Sequence, residues 1–72
     1  MRYAIVIEKS PRNYAAYVPD LPGCVATGAS RNEVVEEISE AIRLHIKSLR
    51  EHHEPVPAPR STTAVVDVAA AG

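Results

Sequence analysis

Cysteine is nearly absent from this chain, with Cys24 the single one in 72 residues. One thiol closes no internal disulfide and builds no cysteine zinc site, and the even cysteine framework of small secreted domains is missing. Tryptophan and phenylalanine are lacking altogether, and three tyrosines are the only aromatics. Basic residues do not outnumber acidic ones: eight Lys and Arg stand against nine Asp and Glu, with no basic run. Phosphate contacts need clustered Lys and Arg, so direct nucleic-acid binding is not the expected main task. Glycine is scarce, and Gly23 and Gly28 do not make the dense loop that cradles a phosphate. No apolar run approaches the ~18 residues of a membrane span, and the chain opens on a strand-like pattern rather than a leader. We therefore expect a soluble cytoplasmic protein. At this length only about 60% of the unfolded chain's surface can be buried, so the core is small and oligomerisation is a common remedy.

What is present is one strong helical signal. Ser30 is a good N-cap, and Glu33 three residues later completes a capping box. Val34, Val35, Ile38, Ala41, Ile42, Ile46 and Leu49 then recur at three- and four-residue spacing, which predicts a long amphipathic helix over residues 30–53. Glu33, Glu36, Glu37 and Glu40 lead its polar side, and Arg43, Lys47 and Arg50 follow, an order that complements the helix dipole. Such a helix overhangs any six-residue strand, so its last turns need another partner or stay wet. Leu44 lies in the middle of the charged side, where it marks a contact or is simply an exposed leucine.

The rest reads as strand and turn. Alternation predicts strands over 2–8, 14–18 and 24–28, separated by the turn at residues 9–13 and by Pro19-Asp20-Leu21-Pro22-Gly23. Alternating prolines at residues 55–59 make a semi-rigid connector. A fourth strand is expected over 62–68, with Thr62, Ala64, Val66 and Val68 on one side and Thr63, Val65 and Asp67 on the other. The expected fold class is α+β, ordered β-β-β-α-β: a four-stranded mixed sheet of order 3-2-1-4, covered on one face by the helix. Residues 1–68 make a single domain, and 69–72 a short flexible tail. The uncovered sheet face, with Ala4, Val6 and Val65 beside Glu8 and Asp67, is either solvated or half of a subunit contact.

Catalytic chemistry finds little footing. Two-metal phosphoryl transfer needs three or four converging carboxylates. Glu8 and Asp67 could lie on adjacent strands, but Asp20 sits in a turn, where aspartate usually caps local N–H groups. His45 and His52 stand seven apart, not at the i,i+4 spacing of a helical zinc pair, and His53 adjoins them. Histidine at a helix C-terminus also suits the dipole without binding anything. Cys24 has no base at a defined spacing and reads as a buried structural thiol. We expect no catalytic residue, no metal site and no cofactor.

The run Pro19-Asp20-Leu21-Pro22-Gly23-Cys24, followed by Thr27-Gly28 and the Ser30–Glu33 cap, resembles the HicB-type antitoxin family. The opening strand and the proline-rich connector fit the same pattern. On that resemblance Pro19, Asp20, Pro22, Gly23, Cys24, Gly28, Ser30 and Glu33 are structural motif residues. The resemblance implies a degraded ribonuclease H-like fold without nuclease activity, and a bacterial toxin–antitoxin role. The implied partner is a small basic HicA-type toxin that cuts messenger RNA, occluded by the antitoxin. It also implies self-association, as a dimer or larger. Full-length members usually carry a C-terminal DNA-binding module. Only a few small residues follow Val68, so no direct DNA binding is expected here. From exposure alone, Asp20, Leu21 and Pro22 in the reversal and Glu37, Glu40 and Leu44 on the helix are the expected partner contacts. Rival readings are an orphan oligomeric interaction domain and a metal-dependent nuclease.

Overall fold

A computed structural model describes residues 1–70. Three short strands, β1 (Val6–Lys9), β2 (Tyr14–Tyr17) and β3 (Val25–Gly28), precede one helix, α1 (Arg31–Glu51). The strands form an antiparallel meander of order β1-β2-β3, with Val6 opposite Tyr17 and Tyr17 opposite Val25. The expected α+β class holds, as do the meander and the helix that covers one of its faces. β1 starts later than expected because its partner runs out. Val18 spends its N–H on Cys24 and its C=O on Leu21, and Pro19 has no N–H to offer.

Strand alternation sorts the side chains. Ile5 and Ile7, Tyr14, Ala16 and Val18, and Cys24 and Ala26 face α1, where Val34, Ile38, Ala41 and Ile42 meet them. Leu21, Val34 and Ile38 are fully buried. Each is worth about 1.5–3 kcal/mol of hydrophobic transfer. α1 lies across β2 and β3. β1 is left less covered, and Ile5 and Ile7 are only half-buried.

Both ends of α1 are closed by recognisable devices. The Ser30 hydroxyl accepts from the Glu33 N–H at 3.1 Å. The Glu33 carboxylate reaches back to the Ala29 N–H at 2.7 Å, one residue before the cap itself. At the other end His53 is left-handed, with φ of 55°. Its N–H donates to Arg50 and that of Glu54 to Leu49, the pair of bonds that defines a Schellman motif. Histidine occupies the position that glycine usually takes. The His52 ring adds a contact from Nδ1 to the Ser48 carbonyl at 2.7 Å.

The expected fourth strand does not form within the chain. Residues 62–70 belong to no strand and are exposed throughout. Val65, Val66 and Val68 are 96%, 77% and 81% exposed. Just upstream the connector is fastened to Tyr3, ahead of β1, and to Asp20 in the reversal. The sheet of order 3-2-1-4 is therefore replaced by the three-stranded meander. Of the expected 69–72 tail, residues 71–72 lie outside the described residues.

Candidate partner-binding site

The reversal between β2 and β3 is two successive turns sharing Leu21. The Leu21 N–H donates to Val18 at 3.1 Å, and the Cys24 N–H donates to Leu21 at 3.1 Å. Pro19 and Pro22 each occupy the second position of a turn, where their fixed φ is pre-set for it. Gly23 follows Pro22 with φ of 83°, as a type II turn requires. The motif Pro-Asp-Leu-Pro-Gly-Cys is thus a local device that folds the chain back twice and drives Leu21 into the core. That overturns the expected exposure of Leu21, which is 0% accessible. Pro22 is exposed, as expected.

Asp20 caps backbone N–H groups, but distant ones. One carboxylate oxygen accepts from the Ser61 and Arg60 N–H groups at 2.8 Å each, and the other accepts from the Ser61 hydroxyl at 2.9 Å. These bonds hold its carboxyl below the usual carboxylate range, with the Ser61 amide the largest cause and the Arg60 amide next. Asp20 is therefore committed within the chain rather than offered outward. Arg60 and Ser61 went unnoticed in the sequence because nothing local ties them to a residue forty positions earlier.

Cys24 is buried beside this reversal, and desolvation pushes its thiol up, away from reactivity. Gly28 has another task. A Cβ there would stand 2.7 Å from the Val34 nitrogen, so its bareness lets β3 approach the first turn of α1.

The outer side of α1 keeps the expected character. Glu36, Glu37 and Glu40 are exposed, and Leu44 is 57% exposed among charged neighbours. Glu40 pairs with Arg43. Lys47 reaches Glu51 at 3.9 Å. Both pairs are solvated and contribute little to stability. The uncovered sheet face carries the cross-strand row Val6, Tyr17 and Val25, whose last member is 65% exposed.

The residues considered for metal chemistry are not brought together. Glu8 is on β1, whereas Asp67 projects on the exposed tail. Among the described residues no three His, Cys, Asp or Glu side chains are placed to share an ion. His45 is half-buried, and His52 and His53 shape the helix end. No helix among the described residues is long and apolar enough to cross a membrane.

A meander under one capped helix, tied by a proline–glycine double turn and presenting an acidic helix side, defines a small α+β domain built around surfaces. The chain belongs to the HicB-like antitoxin family of bacterial toxin–antitoxin systems, whose pattern it matches over residues 3–70. A UPF0150 protein of Thermoplasma acidophilum is 41% identical over 58 residues, covering 79% of this chain and 84% of the relative. Another, from Synechocystis, is 41% identical over 56 residues, covering 76% and 71%. Among solved structures, a chain of the HicA3 and HicB3 toxin–antitoxin complex superposes with a TM-score of 0.72 at 30% identity. The match covers 83% of this chain and 70% of that one.

Proposed function

We propose that this chain is a non-catalytic antitoxin that binds a small basic HicA-type toxin and occludes its RNA-cleaving surface. The observation that carries this reading is family membership over nearly the whole chain, together with structural likeness to a chain of a toxin–antitoxin complex. The geometry supplies a surface of suitable chemistry. Glu36, Glu37 and Glu40 form an acidic strip beside Leu44 on a rigid, capped helix, and Pro22 stands at the tip of the reversal. An acidic strip speeds encounter with a basic partner, and the leucine at its end slows separation. The protein works in the cytoplasm, where such a toxin meets messenger RNA.

The direct test is co-expression with the product of the adjacent open reading frame. Co-purification with that product, and suppression of its RNA cleavage by the wild-type chain, are expected. Glu36→Lys with Glu37→Lys should chiefly lower the association rate, and Leu44→Asp should chiefly raise the dissociation rate. An adjacent product that neither binds nor loses activity would remove the reading and leave an orphan interaction domain.

A further inference from the structure

We propose that residues 62–68 form a strand on a second copy of this chain, along the free edge of its β1 and beneath the overhanging end of its α1, so that two copies exchange tails. The segment alternates as a strand should, with Ala64, Val66 and Val68 on one side. Yet it belongs to no strand of its own body, and among the described residues its three valines are the most exposed large apolar residues, ahead of Met1. Apolar residues concentrated on a short exposed segment mark a contact surface.

Among the described residues the tail pairs with no strand of its own body, its own β1 included. The Tyr3 hydroxyl, just ahead of β1, donates to the Pro57 carbonyl. Four residues later Ser61 is fastened to Asp20 in the β2–β3 reversal. Both anchors lie at the end of the sheet where β1 begins and the β2–β3 reversal stands, and the tail sets off from Ser61. The chain reaches 53 Å along its longest axis, against about 32 Å for a helix of this length.

The receptacle is equally specific. β1 has a neighbour on one side only. Tyr3 and Ile5 continue its alternation toward the core, so the inward-facing stretch from Tyr3 to Lys9 matches the tail in length. Ahead of it a groove of about 520 Å³ lies between Met1 and the late turns of α1, lined by Met1, Arg43, Ile46, Lys47, Arg50 and Glu51. A strand laid on that edge would turn Val66 and Val68 toward Ile46 and Met1. Each copy holds one tail and one receptacle, so a reciprocal exchange closes on itself with two-fold symmetry. This inference does not depend on the toxin partner.

The test is the solution mass of the full chain by sedimentation equilibrium. Wild type should give twice the chain mass. Val66→Lys with Val68→Lys should weaken the dimer on the order of 100-fold, each buried valine being worth about a factor of ten or more. Helical circular dichroism should be unchanged in the variant. In a sample mixing isotope-labelled and unlabelled copies, contacts from the Val66 and Val68 methyls to Ile46 should appear between copies. A wild type that stays monomeric at millimolar concentration would overturn the proposal. So would a dimer that survives the tail variant and is split by Tyr17→Lys on the uncovered sheet face.

Discussion

Leu21 sits in a loop and behaves as a core residue. Two turns that share it turn its side chain inward, and its burial is complete. Leu21→Ala should therefore cost about 2–5 kcal/mol, as for a buried helix or strand leucine, measured by urea denaturation. Asp20 carries a different kind of weight. Its carboxyl is depressed by the Ser61 and Arg60 amides, so the stabilisation it gives is fully present above the ordinary carboxylate value. That stabilisation is lost as pH falls through its lowered folded value. The amide resonances of Arg60 and Ser61 should titrate with Asp20 in that acid window, and Asp20→Asn should abolish the titration. The type of work Asp20 does was legible in the sequence, since a turn aspartate seeks N–H groups. Its partners were not, because a forty-residue separation leaves no local pattern.

At the scale of elements, α1 was the most legible feature, since its stripe and cap both rest on short-range spacing. Its C-terminal device is less ordinary. His53 holds a left-handed backbone that favours glycine, inside an otherwise complete Schellman motif. His53→Gly should relieve that conformation and stabilise the chain by about 1 kcal/mol, read as a raised melting temperature. The strands were legible as alternation, but their ends were not. β1 is shortened by the bonding of Val18 and Pro19 on its neighbour, which no reading of residues 2–8 alone could reveal. The tail shows the converse. Thr62 to Val68 have the alternation of a strand, yet no strand of the chain takes them up, because alternation specifies which side chains share a face and not which edge they pair with.

As a whole molecule, the chain is a thin two-layer body whose buried core, among the described residues, is Ala16, Val18, Leu21, Cys24, Val34 and Ile38. A core of that size leaves stability marginal, so a second copy that covers β1 and the groove would contribute much of the total. Melting should then depend on concentration. Dilution should lower the midpoint for wild type and leave it unchanged for the Val66→Lys, Val68→Lys variant, as scanning calorimetry would read. Exposed partner contacts were the least legible part of the site. Composition says that Glu37, Glu40 and Leu44 are outward, but not what meets them, and it placed Leu21 on the wrong side of the surface.

Gly28 makes α1 a cantilever. With no Cβ between them, strand and helix touch backbone to backbone at Val34, and the Ser30–Glu33 bonds clamp the same point. Ile38, Ala41 and Ile42 hold the next turns against the sheet, so only the overhanging end is a free beam, and any sway in it grows toward residues 46–51. A partner that grips the far tip works with leverage: small strain at the root becomes a wide arc at the end, so one rigid rod can conform to clefts of differing width without unfolding.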